Sequence, residues 1–156
     1  MDIFAHGLWT WAIFHNNKRY VWLAALFGVL PDMLSFGILF AANLLTGNFH
    51  RGRPSLNSIP KYVFESYNYT HSLVVFAIAF VAVYAITKQW FWPMTAWVIH
   101  ILIDIPTHST RFFPTPFLWP FSDYVFNGIS WGTPWFMLVN YLSLLIVYIM
   151  IITAKI

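Results

Sequence analysis

Apolar residues run in long blocks along this chain, and basic or polar residues separate the blocks. The clearest block covers residues 135–154, holds no charged side chain and is followed by Lys155. A membrane-crossing helix takes roughly 20 mainly apolar residues, so this block predicts a span. Residues 20–45 predict a second, introduced by Lys18 and Arg19. Pro31 falls inside it, and proline lacks the N–H that a helix interior uses, which predicts a kink over Gly28 to Pro31. Residues 72–87, closed by Lys88, and residues 89–105, with Pro93 placed for a first helical turn, predict a helical hairpin. Residues 3–14 are apolar but short, which suits a half-span or an interfacial helix.

Two connections break the pattern. Residues 46–69 collect Gly, Pro, Asn, Ser and most of the basic loop residues. Residues 109–134 include Pro114, Pro116, Pro120 and Pro134 among aromatics, which forbids regular helix and suits a membrane interface. The expected fold is all-α: one integral membrane domain over residues 1–156, a polytopic bundle of four to five helices with a short N-terminal helix and a kinked second one. Threading these spans puts both long connections on one side, together with the helix ends that carry His71 and His108. The basic residues divide evenly, with Lys18, Arg19, Lys88 and Lys155 on the far side and Arg51, Arg53, Lys61 and Arg111 on the loop side. The far-side charges lie closer to the span ends, which points to that side as cytoplasmic. The expected location is a bacterial or archaeal cell membrane, with the loop side extracytoplasmic.

Composition supports lipid as the solvent. Hydrophobic residues make up 60% of the 156 and charged residues 8%, against about 25% charged in a soluble domain. The net charge of +3 is scattered, so no basic face for nucleic acid is evident. Met1-Asp2 opens the chain without a basic n-region or a small-residue cleavage site, so no cleavable signal peptide is expected. The absence of cysteine excludes disulfides and thiolate metal sites, leaving His nitrogen and carboxylate oxygen as metal ligands.

The polar residues inside or beside the apolar blocks are His6, Asp32, His71, His100, Asp104 and His108. His100 and Asp104 stand four apart on a helix, about 40° apart around its axis, so both reach one ion from one face. The plainer reading is a hydrogen-bonded pair within a helix. Membrane context favours function, because ionisable groups in a bilayer cost a few kcal/mol and mark working sites. A divalent cation would offset the two carboxylates and use neutral imidazoles. Asp32 reads as the cap of a broken helix or as a ligand at an interrupted one. His71 reads as an interfacial histidine beside a Thr70 cap, or as a ligand projecting toward the next helix. His108 follows Pro106, where the helix bends or ends, and His6 sits on the short first helix. Glu65 is a further candidate ligand in a loop. Arg111, Ser122 and Asp123 read as ordinary loop polarity, with Arg111 as a contact for an anionic substrate.

Taken in order, His6, Gly-Val-Leu-Pro-Asp at 28–32, Thr-His-Ser-Leu at 70–73, His-Ile-Leu-Ile-Asp-Ile-Pro-Thr-His at 100–108 and Trp-Pro-Phe-Ser-Asp-Tyr at 119–124 form a set. That set resembles the YdjM-type family of LexA-regulated, membrane-bound, metal-dependent hydrolases, and covers nearly the whole chain. The family in turn resembles the zinc-dependent phospholipase C and single-strand nuclease fold, helical enzymes with a zinc cluster of His and Asp. The resemblance implies that His100 and Asp104 match the His-x-x-x-Asp pair of that fold. It implies His6, Asp32, His71 and His108 as further ligands, and one or two metal ions.

Three function classes follow. The first is a hydrolase of phosphoesters, lipids among them, with Zn²⁺ as the expected metal and Asp32 or Asp104 orienting or deprotonating the water. The second is an ion, metal or proton transporter, which needs polar residues leading to both sides; no internal repeat supports it. The third is a non-catalytic membrane scaffold with a structural metal.

Overall fold

A computed structural model describes residues 1–48 and 54–154. Arg51, Arg53 and Lys155, used above to divide the chain's polarity, lie outside those residues. Six α-helices form among the described residues, and no strand: α1 (Ile3–Phe14), α2 (Val21–Thr46), α3 (Lys61–Thr70), α4 (Leu73–Thr87), α5 (Thr95–Thr107) and α6 (Pro134–Thr153). Short 3₁₀ turns at Leu56–Ser58 and Trp92–Met94 precede α3 and α5.

Length and hydropathy qualify α2 and α6 as membrane spans, or three spans if α3 and α4, bent by 62° at their junction, act as one. The 26 residues of α2 extend about 39 Å and the 20 of α6 about 30 Å, the thickness of a hydrocarbon core. The 15 residues of α4 and 13 of α5 are each shorter than a full span, so the all-helical fold holds and two to three spans are supported by helix length. Leu138, Leu142, Leu145, Ile149 and Ile152 of α6 are all exposed. A face of that kind is unstable against water and is covered by lipid or protein.

The ends of these helices are set locally. Asp2 caps α1 by accepting from the Ala5 N–H at 3.0 Å. Gly47, at φ 69°, ends α2 in the left-handed conformation that glycine takes without penalty. Ser72, rather than Thr70, caps α4: its hydroxyl accepts from Val74 and Val75 N–H at 3.1 and 3.2 Å. Helix α3 lies in a stretch whose polar residues suggested a connection. Its apolar stripe is short, with Val63, Tyr67 and Thr70 buried, and Lys61 pairs with Glu65 at 3.1 Å on the outer side. That exposed pair removes Glu65 from the candidate ligands.

Proline did not interrupt α2, which passes through Pro31 as one helix. Asp32 is therefore neither a cap nor a ligand at a helix break. Helices α1 and α2 meet where α2 has no side chain: a Cβ on Gly28 would lie 2.2 Å from Thr10 Oγ1. Helix α6 is tied to α1 by polar tips, with Trp9 Nε1 donating to Asn140 Oδ1 at 2.9 Å and Tyr148 OH donating to Leu8 O at 3.0 Å.

The proline-rich connection after α5 is irregular, as its composition dictates. It closes the end of α5, whose last carbonyls lack partners within the helix. The N–H groups of Gly128, Ile129 and Trp131 donate to His108 O, Pro106 O and Thr107 O at 2.8, 2.9 and 2.9 Å. Only glycine permits this approach, since a Cβ at 128 would lie 2.2 Å from Pro106 O. Gly128→Ala is expected to lower stability by about 1–3 kcal/mol through overpacking, read as a drop in the thermal midpoint. An unchanged midpoint would show that the connection is not docked on α5.

Candidate metal centre

Four side chains from three parts of the chain converge at the centre of the helices. Asp32 comes from α2, His71 from the α3–α4 junction, and His100 and Asp104 from one face of α5. One ligand atom from each lies within 4.8 Å of all the others. His71 Nε2 is 3.4 Å from Asp32 Oδ1 and 3.5 Å from Asp104 Oδ2. His100 Nε2 is 3.9 Å from Asp32 Oδ1 and 3.3 Å from Asp104 Oδ2. Ligands around a tetrahedral zinc, at bonds of about 2.0–2.2 Å, sit about 3.3–3.6 Å apart. Three of these four spacings match that edge length, and the fourth, from His100 to Asp32, is longer at 3.9 Å.

Hydrogen bonds at the far side of each imidazole decide which nitrogen faces the centre. His100 Nδ1 lies 2.7 Å from Gly28 O. A carbonyl only accepts, so Nδ1 carries the proton and neutral His100 presents a lone pair at Nε2. His71 Nδ1 lies 3.2 Å from Tyr67 O and 2.9 Å from Thr70 Oγ1, which assigns the same tautomer. The two Nε2 atoms then face each other at 3.0 Å with lone pairs toward the same space. Two acceptors at that distance repel unless a proton or a cation lies between them. Asp104 Oδ2 is also buried and accepts no hydrogen bond. Two lone pairs and an orphaned carboxylate oxygen around one point fit a divalent cation. Fixing an imidazole by a bond from its outer N–H is how ligand histidines are usually oriented.

Local structure explains how the outer partners arise. Pro31 has no N–H to give the Phe27 carbonyl one turn back, and in that same turn of α2 the Gly28 carbonyl accepts from His100. Tyr67 supplies both a carbonyl to His71 and a ring stacked on it at 3.7 Å. The Tyr67 hydroxyl donates to Phe113 O at 3.0 Å, tying α3 to the connection after α5. Phe113, at φ 46°, is held in the left-handed region at this contact, where non-glycine backbone is strained. Tyr67, Thr70 and Gly28 were not among the candidate ligands from sequence: Tyr67 and Gly28 serve through backbone carbonyls, and Thr70 through a hydroxyl that reads as a helix cap.

The remaining two candidates lie on the other oxygen of Asp104. His6 Nε2 is 2.8 Å from Asp104 Oδ1, and the His6 ring stacks on His100 at 3.7 Å. His108 Nδ1 is 3.3 Å from Oδ1 and 3.2 Å from the Asp104 carbonyl. The Met1 amino group also bonds to Asp104 Oδ1, and to Thr107 Oγ1 at 3.1 Å. His6 and His108 thus adjoin the four-residue group without belonging to it. Arg111 and Ser122 stand apart in the connection; Arg111 lines a separate cavity of about 440 Å³ with Ser109 and Asn127. Ser122 bonds locally to the Tyr124 N–H at 3.1 Å.

The chain matches no protein-family model, no curated protein and no solved structure.

His6→Phe keeps the stack on His100 and removes the bond to Asp104. We expect zinc affinity to fall about 10–100-fold with stoichiometry unchanged, as for other groups that orient a ligand. Competition against a chelating dye reads the affinity. A loss of stoichiometric zinc would instead make His6 a direct ligand.

Proposed function

We propose that this chain is a membrane-embedded, metal-dependent hydrolase of phosphoester bonds. The observation that carries the proposal is the convergence of the Nε2 atoms of His71 and His100 with an unpartnered Asp104 oxygen, beside an Asp32 that is partly open. The side chains of His71, His100 and Asp104 are fully buried, whereas that of Asp32 is 14% exposed and lines a large cavity. Three closed ligands and one open edge suit a catalytic site better than a sealed structural one.

A divalent ion held by His71, His100 and Asp104, zinc by its ligand set, would supply Lewis-acid chemistry, polarising a phosphoryl oxygen and acidifying water. Asp32 stands where substrate can reach it. Its carboxylate orients the attacking water and takes its proton as the new P–O bond forms. The ester P–O bond breaks in the same displacement, and the leaving alcohol oxygen recovers a proton. His6 holds Asp104 from behind, so Asp104 serves as a fixed ligand and not as the base. Asp32→Asn keeps the side-chain shape and removes the base. It is expected to retain zinc and lose about 10²–10⁴-fold in turnover of bis(4-nitrophenyl) phosphate. Turnover within a few-fold of wild type would move the base elsewhere.

The ordered motifs that resemble the YdjM-type hydrolases support the same reading, as does the apolar surface of α2 and α6.

A further inference from the structure

Asp32, the accessible member of the cluster, opens onto a half-open cavity of about 1030 Å³ between α1 and α2. That volume lies at the upper end of the roughly 300–1,000 Å³ usual for small-molecule sites. Its walls are almost wholly apolar: Trp22, Val29, Met33 and Phe40 from α2, with Phe4 and Leu8 from α1. The α2 residues recur at helical spacing, so one stripe of the helix forms the wall. The carboxylate and imidazole side chains of the lining are Asp32 and His108, which adjoin the candidate metal centre, and Asp2, next to the Met1 whose amino group bonds to Asp104. Phe4 and Trp22 are 74% and 75% exposed, so the groove is open sideways and not sealed by the protein.

We propose that this groove holds the hydrocarbon chain of a lipid phosphoester, with the ester group at Asp32; the proposal rests on the hydrolase reading and names its substrate class. Two features select this occupant. The wall is built by α2, one of the two helices fit to cross a membrane, so the open side faces hydrocarbon. The lining is apolar with one polar end, the complement of an amphiphile with a single headgroup. A helix from a second copy would need no carboxylate and imidazole at the groove's base.

Gly37 offers a way to close the groove without touching the site. It lines the cavity, and a Cβ there would meet only Met33, at 3.6 Å. Gly37→Leu puts a branched side chain into that space and replaces a poor helix former by a good one. Gly37→Ala is the control that adds a methyl group alone. The full chain, in detergent with zinc, is given a phosphatidylglycerol bearing a diazirine in mid-chain, and labelled peptides are mapped by mass spectrometry. The expected label falls on α1 and on the α2 stripe, is lost in Gly37→Leu and is kept in Gly37→Ala. Turnover of the long-chain lipid should fall about 100-fold in Gly37→Leu, since each methylene kept out of the groove forfeits several-fold in binding. Turnover of bis(4-nitrophenyl) phosphate, which has no chain, should stay within about twofold, because the reacting centre is unaltered. Label spread evenly over the exposed faces of α4 and α6, unchanged by Gly37→Leu, would overturn the proposal. So would a cross-link between two copies through the groove. If wild type hydrolyses neither substrate, the hydrolase reading fails, and the photolabel still decides the groove.

Discussion

Removing Asp104 and His100 together is expected to leave the chain without zinc and without phosphodiester turnover. Wild type purified gently from a zinc-supplemented culture should carry bound zinc in stoichiometric amount, measured by elemental analysis. Asp104 is the bond between the two halves of the site. Its Oδ2 faces both imidazoles, and its Oδ1 receives His6 and the Met1 amino group. Asp104→Ala deletes an anion from a pocket where the side chains of His71 and His100 are fully buried. Breaking a buried charged pair typically costs about 3–5 kcal/mol, so a fall in stability should accompany the loss of metal. His100→Ala alone removes one ligand and frees the Gly28 carbonyl, and should reduce metal content with a smaller effect on stability. Full zinc retention in the double variant would exclude this cluster as the metal centre.

Chelation should lower the thermal midpoint of the wild-type protein by roughly 5–15 °C. The four side chains reach one point only when α2, the α3–α4 junction and α5 are assembled, so an ion held there would bind the folded state. Binding to the native state alone stabilises by about 2.7–4.1 kcal/mol at 100 to 1,000 times Kd. For a chain of this size each kcal/mol moves the midpoint about 2–4 °C. Added zinc should restore the loss, and Asp104→Ala should show no response to chelator or zinc. A wild-type midpoint indifferent to both would mean that the cluster holds no ion. An equal shift in Asp104→Ala would place the ion elsewhere in the chain.

Much of this arrangement was legible before any coordinates. The ends of α1 fall at residues 3 and 14, as the apolar block does, and α6 matches its block within a residue. These helices are written in runs of apolar residues, a local signal. The pairing of His100 with Asp104 was equally local, because four residues along a helix bring two side chains to one face. Helix α3 was missed for a physical reason. Val63, Tyr67 and Thr70 are buried and Phe64 packs beside them, while the outer side carries Lys61, Glu65 and Ser66, so its polarity resembled a connection. Hydropathy counts apolar residues and not the length of continuous helix, so it marks four to five apolar blocks where two helices, or three if α3 and α4 act as one, are long enough to span. Helices α4 and α5 have 15 and 13 residues.

By itself, then, the sequence determined the helical class, the two long apolar helices and the identity of the six ionisable candidates. Periodicity and composition act over one turn or one block, and a single chain displays them directly. Only the tertiary structure decided how those candidates divide. Asp32, His71, His100 and Asp104 share one centre, while His6 and His108 stand against the outer oxygen of Asp104. That division depends on which imidazole nitrogen meets a carbonyl such as Gly28 O, 72 residues away from His100. It also depends on a glycine that lets α1 press against α2. Contacts between residues so far apart in the chain leave no periodic trace, so they become visible only when the helices are packed.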